Sequence, residues 1–115
     1  MQAIELLRNT MEQIENHKVY FTFKLMKLKH IRTQTVNLMR ACLSAHQLGL
    51  PITTHLMCVM LNVDKRSSGA ALSNRLHVLG DKHCLVLKRG GSRGRGAPNE
   101  WMVDSVFLEV YNNGE

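Results

Sequence analysis

Basic side chains are concentrated between residues 65 and 95. This segment holds eight basic residues against one acidic residue, Asp81, a net charge of +7, whereas the whole chain carries +6. The basic residues are Lys65, Arg66, Arg75, Lys82, Lys88, Arg89, Arg93 and Arg95. Their cationic groups can neutralise phosphates, and clustering of this kind is typical of a nucleic-acid-binding surface. We therefore expect a polyanionic partner.

The loop from Arg89 to Pro98 contains four glycines and one proline, so we expect no regular element there. Arg93 and Arg95 lie on a backbone with little side-chain bulk, and arginine is favoured in narrow, electronegative minor grooves. The run is partly similar to the Arg-Gly-Arg-Pro core of an AT-hook, although Gly96-Ala97 separates Arg95 from the proline. Arg-Gly runs also occur in RNA-binding tails, so binding of structured RNA is an alternative.

A helix predicted over residues 67 to 79 has two distinct faces. At about 100° per residue, three leucines share one narrow arc that should face the core: Leu72, Leu76 and Leu79. The opposite arc collects short polar side chains, namely Ser67, Ala70, Asn74 and His77, with Ser73 and Arg75 at its margins. In the major groove of duplex DNA, Asn can pair with adenine and Ser can contact either base of a pair. The methyl group of Ala can contact the methyl group of thymine. No acidic residue occurs between Lys65 and Gly80, which favours base recognition over an ordinary solvent-facing surface.

The N-terminal 32 residues predict two further segments. Residues 2 to 16 should form an amphipathic helix whose apolar stripe is Ile4, Leu7, Met11 and Ile14. This stripe has the spacing of a dimer seam, and the alternative is a helix packed on its own domain. Residues 18 to 32 fit both strand and helix periodicity, and we favour helix. The five basic residues in that segment extend the DNA-facing surface or are simply solvated: Lys18, Lys24, Lys27, Lys29 and Arg32.

Glycine, proline and helix-capping residues divide the rest of the chain, after residue 32, into helices and strands. We expect helices over 33–48, 53–63 and 67–79, strands over 84–88 and 101–103, and a short last helix. The expected N-caps are Thr33 or Thr35, Thr53 or Thr54, Ser67 or Ser68, and Asp104. Gly49 and Gly80 should end helices. Hydrophobic residues make up 44% of the chain and aromatics 5%, a composition that suits packed helices better than a β-sandwich.

Residues 33 to 103 resemble a winged helix-turn-helix domain of the bacterial and phage regulator kind. The residues that carry the resemblance are Ile52-Thr53, Leu56, Met60-Leu61-Asn62-Val63, the link 64–66, Ala71-Leu72, Arg75-Leu76, Leu79-Gly80 and the strand-loop-strand 84–103. The resemblance implies a mainly α fold with a small β-hairpin wing over 89–98, a recognition helix in the major groove and often a homodimer. Residues 33–115 would form this domain, with residues 1–32 as an N-terminal helical extension that dimerises.

We therefore expect a duplex-DNA-binding transcriptional regulator. Its DNA-binding residues would be Lys65, Arg66, Ser67, Ser68, Ala70, Ser73, Asn74, Arg75, His77, Lys88, Arg89, Arg93 and Arg95. The main alternative is a protein-interaction module on the same fold, docking on RNA polymerase or a nucleoid protein.

Other classes of function find little support in the sequence. It offers no placed nucleophile and base and no phosphate-binding glycine loop before a helix, so we expect no enzyme, cofactor or small-molecule ligand. His77, His83 and Cys84 lack a fourth ligand at usable spacing, so we expect no metal. Cys42 and Cys58 suit buried thiols of a reducing compartment. Without a signal peptide or membrane span, the expected location is cytoplasmic and nucleoid-associated.

Overall fold

A computed structural model describes residues 3–81, 86–90 and 99–113. Within these ranges the chain forms six helices and three short strands. In chain order they are α1 (Ala3–Gln13), α2 (Asn16–Leu25), α3 (Thr33–Gln47), β1 (Ile52–Thr53), α4 (Thr54–Met60), α5 (Lys65–Asp81), β2 (Val86–Gly90), β3 (Asn99–Val103) and α6 (Ser105–Asn113). The expectation of a mainly α protein with a small β-hairpin is confirmed.

The three strands form one antiparallel sheet in the order β1-β3-β2. In the hairpin, Val86 of β2 faces Val103 of β3, and on the other edge of β3 Trp101 pairs with Ile52 of β1. The sequence did not predict β1, because its two residues, Ile52 and the helix cap Thr53, are too few to carry a periodic pattern. Its strand conformation depends on pairing with β3, from which it is distant in the chain.

One hydrophobic core joins the N-terminal helices to the rest of the chain. Phe23 of α2 is fully buried, and its ring centroid lies 5.9 Å from that of Phe107 on α6. Trp101 of β3 and Leu76 of α5 belong to the same cluster. Residues 18 to 25 are helical, as favoured, because Val19, Thr22 and Phe23 reach this core at helical spacing. The prediction of helix is wrong for residues 26–32, because α2 ends at Leu25 and the backbone turns left-handed at positions 27 and 30. The alternating strand pattern fails there, since Phe21 remains exposed.

Helix α1 is held on its own domain by polar as well as apolar contacts. Arg40 of α3 donates from Nε to the carbonyl oxygen of Ile14 at 2.7 Å and from Nη2 to that of Met11 at 2.9 Å. The buried Ser44 hydroxyl donates to the carbonyl oxygen of Leu7 at 2.7 Å. Met11 and Ile14 lie near the C-terminal end of α1, where partners within the helix run out, so α3 supplies hydrogen bonds there.

The α1 stripe, for which a dimer seam and a helix packed on its own domain were the alternatives, lies against the core of its own chain. Leu7 is 1% exposed and Ile14 4% exposed, and Ile4 and Met11 pack against the same core. Leu7 and Ile14 are covered by their own chain, whereas Ile4 and Met11 are covered in part. The stripe therefore has the alternative role, that of a helix packed on its own domain. The homodimer itself stays a prediction, and it would have to use another surface.

Helix ends agree with the sequence at some caps and differ at others. The Thr53 hydroxyl accepts from Leu56 N at 3.1 Å, and Asp104 Oδ2 accepts from Val106 N at 3.0 Å, as expected. Arg32, not Thr33 or Thr35, occupies the N-cap position of α3 and gives no side-chain cap bond. None of the helices in the described ranges combines the length and apolar character needed to cross a membrane.

Candidate nucleic-acid interface

The turn between α4 and α5 fixes how α5 is presented. Asn62 has a left-handed backbone with φ of 56°, and Val63 N donates back to the carbonyl oxygen of Cys58 at 3.0 Å. This pattern ends α4 abruptly, in the manner of a Schellman motif. The Asp64 carboxylate then accepts from Arg66 N at 3.1 Å. Asp64 therefore starts α5 two residues earlier than expected, and the prediction of Ser67 or Ser68 as the cap is wrong.

Helix α5 buries one face and leaves the other open, as its periodicity predicted. Leu72, Leu76 and Leu79 are at most 4% exposed. Six residues on or beside the opposite arc are exposed, namely Arg66, Ser67, Ala70, Ala71, Asn74 and Val78. We call these six residues the outward face of α5. It carries short side chains with one amide and one guanidinium, so another molecule can approach the helix backbone closely.

Two of the predicted base-reading residues lie at the edge of this face. Ser73 and His77 are half-buried. The His77 ring stands edge-on to the ring of the buried Trp101, with centroids 5.3 Å apart and an interplanar angle of 80°. His77 therefore packs α5 against β3, a role that the helical arc alone did not indicate because β3 is distant in sequence. Ser68, another predicted DNA-binding residue, is also half-buried.

The predicted basic residues divide into those with described side chains and those without. Arg66 and Arg75 are exposed, and with the other described residues neither side chain forms a hydrogen bond or an ion pair. The backbone register of the hairpin sets Lys88 opposite Trp101 and Arg89 opposite Glu100. Arg93 and Arg95, like Lys82 and the rest of the loop 91–98, lie outside the described residues, as do the side chains of Lys65, Lys88 and Arg89.

A basic cleft lies beside α5 that the sequence did not assign to the site. It has a volume of about 570 Å³ and is bounded by the segment before α3, the first turn of α3 and the last turns of α5. Its lining includes Lys29, His30, Arg32 and Arg75. The signal in the sequence was the run of basic residues from 18 to 32 without an acidic neighbour among them, but its position relative to α5 depends on how the helices pack.

Comparison of the chain with family models, with curated proteins and with solved structures gives no significant match. The geometry of α5 and its surroundings is therefore the basis for assigning a function.

Proposed function

We propose that this protein binds duplex DNA as a winged helix-turn-helix transcriptional regulator, with the outward face of α5 in the major groove. The observation that carries the proposal is this outward face. Ser67, Ala70 and Asn74 are exposed on the side of α5 opposite its buried leucines, and the helix has no acidic residue before Asp81. Short polar side chains let a helix enter the major groove, which is about 12 Å wide, and contact base edges there.

The order of the elements supports the same proposal. Helix α4, a tight turn and α5 follow one another, and α5 is followed by the β2–β3 hairpin. A helix-turn-helix places its second helix in the groove while the first helix crosses the backbone. We propose that the loop 91–98, with Arg93 and Arg95, contacts the adjacent minor groove, where arginine is favoured by the negative potential.

The roles within α5 follow from exposure. We propose Asn74 as the main base-reading residue, since its amide is exposed and can bond bidentately to adenine. Arg66 would contact a phosphate near the start of the helix. His77, packed on Trp101, would position α5 against the sheet instead of reading a base.

The nature of the partner can be tested by measuring binding to duplex DNA, duplex RNA and single strands across one salt titration. Arg66, Arg75 and the four basic residues from Lys88 to Arg95 should release about 5 counterions per monomer, so the logarithm of affinity should fall with a slope of about −5 against the logarithm of salt. A slope near −1, or equal binding to RNA, contradicts the proposal. Selection of bound sequences from a random DNA pool would supply the cognate site.

Base reading by Asn74 can be tested with a matched pair of substitutions. Asn74→Ala should weaken binding to the selected site by about 1–3 kcal/mol while affecting random DNA much less, because a base contact contributes only on the correct sequence. Asn112→Ala, at an exposed position on α6, is the control and should change neither. Equal losses on both DNAs would show that Asn74 positions the protein without reading bases.

A further inference from the structure

The segment that joins α2 to α3 turns its basic side chains to one side. Leu28 and Ile31 pack against the core, whereas Lys29, His30 and Arg32 are exposed. Left-handed backbone at Lys27, with φ of 63°, and at His30, with φ of 57°, bends the segment between these residues. The apolar anchors therefore hold the basic side chains in place, at the mouth of the cleft beside α5.

The cleft is suited to an anion. Lys29 and Arg32 line one wall, Arg75 lines the α5 wall, and no acidic residue occurs among its described lining residues. Gln34 and Thr35 add uncharged hydrogen-bonding groups, and the nearly fully buried Leu38 and Leu79 contribute an apolar base. None of the three cationic side chains is paired with another described residue. Positive charges that lie close together without an acidic partner repel one another. A bound anion would replace this repulsion with attraction.

We propose that this cleft binds a phosphate of the same DNA duplex whose major groove α5 enters, an inference that rests on the proposed function. Arginine guanidinium groups bind phosphate oxygens through paired hydrogen bonds, and two arginines, Arg32 and Arg75, line this cleft. Val78 lies in the cleft and also on the outward face of α5, one helical turn after Asn74. The cleft thus borders the outward face of α5, so a duplex that this face enters would bring its sugar-phosphate backbone close to the cleft. It extends the DNA contact to a segment before the helix-turn-helix.

The experiment compares the double substitution of Lys29→Gln and Arg32→Gln with the single substitution Lys24→Gln. Lys24 is an exposed lysine of the same basic stretch, but it does not line the cleft. Each lost phosphate contact lowers the salt slope by about 0.9. The double variant should therefore bind duplex DNA more weakly with a slope reduced by about 1, and Lys24→Gln should match the wild type. If both variants have the same affinity and slope, the cleft proposal is wrong. Unchanged unfolding midpoints would exclude misfolding as the cause.

A second arm separates the cleft from the proposed function and from small phosphorylated ligands. Inorganic pyrophosphate is titrated into the wild type and the double variant while backbone amide signals of residues 29–35 and Arg75 are followed by NMR. Shifts in the wild type that vanish in the variant support a phosphate site. If the protein binds no duplex DNA at all, the proposed function fails. In that case, NMR shifts caused by pyrophosphate in the wild type would assign the cleft to a small phosphorylated ligand. The absence of these shifts would overturn the proposal of a phosphate site as well.

Discussion

Arg40 on α3 and Arg75 on α5 carry the same side chain in opposite surroundings. Arg40 is half-buried and donates to two carbonyl oxygens at the end of α1. Arg75 is exposed and lines the basic cleft, and its guanidinium has no partner within the described part of the chain. One arginine is part of the scaffold, whereas the other is available to a ligand.

The same division holds for the two regions to which these arginines belong. On the side of α1, the Arg8 guanidinium donates to the carbonyl oxygen of Val59 at 3.0 Å, so a second positive charge is also used to hold helices together. On the side of α5, Arg66 has no such bond from its side chain to a described residue. A count of basic residues therefore overstates the number of cationic groups that a ligand could reach, because some of them already bond to backbone carbonyl groups.

The largest expected effect comes from exchanging the two arginines separately for methionine, which keeps the length of the side chain. Arg40→Met removes two charge-assisted hydrogen bonds and leaves the carbonyl groups of Met11 and Ile14 without them, which should lower the free energy of unfolding by about 2–4 kcal/mol. Arg75→Met should change it by less than about 0.5 kcal/mol but weaken DNA binding. Urea unfolding and DNA titration of both variants provide the measurements. Equal losses of unfolding free energy in the two variants would show that Arg40 and Arg75 do not differ in their contribution to the fold.

An intermediate effect concerns pH, through the buried thiol at the centre of the scaffold side. Burial raises the pKa of Cys42 from 9.0 to about 12. When unfolding exposes the thiol, it loses its proton above its ordinary pKa. The contribution of Cys42 to the free energy of unfolding is therefore fully present below about pH 9. It is lost toward about pH 12, at about 1.4 kcal/mol per pH unit. Tyr111, whose pKa is also raised by burial, adds a loss of the same sign at high pH.

The contribution of Cys42 is isolated by a comparison with Cys42→Ala. That variant starts less stable, because it removes a buried sulfur that lies 3.9 Å from the sulfur of Met57. Its stability should nevertheless fall less steeply than that of the wild type between about pH 9 and about pH 10.5, whereas the Tyr111 contribution is common to both. Parallel curves would show that the thiol does not titrate differently in the folded state.

The smallest effect concerns the turn at the end of α3, which has the same hydrogen-bond pattern as the turn before α5. Gly49 has φ of 71°, and a Cβ added there would meet no atom within 4 Å. Gly49→Ala should therefore cost about 1 kcal/mol, from backbone conformation alone. Gly49→Asn should cost less, because Asn tolerates left-handed backbone, as it does at position 62. Equal costs measured by urea unfolding would point to a packing effect instead.

Much of the architecture could be predicted from local patterns. The Leu72, Leu76 and Leu79 spacing identified the buried face of α5, Thr53 and Asp104 were recognised as caps, and Gly49 as a helix end. These features depend on residues within a few positions of one another. The wrong cap for α5 had a local cause too, since Asp64 competed with two serines that are equally good capping residues.

Contacts between distant segments could not be predicted in this way. The sequence by itself determined the helical periods, the excess of positive charge and the polar outward face of α5, because each is a property of neighbouring residues. Tertiary structure decided that the α1 stripe is core, that His77 rests on Trp101, that β1 exists, and that Lys29 and Arg32 meet Arg75 across one cleft. The physical reason is that burial and charge proximity are set by which surfaces pack together, and a linear pattern does not specify the partner surface.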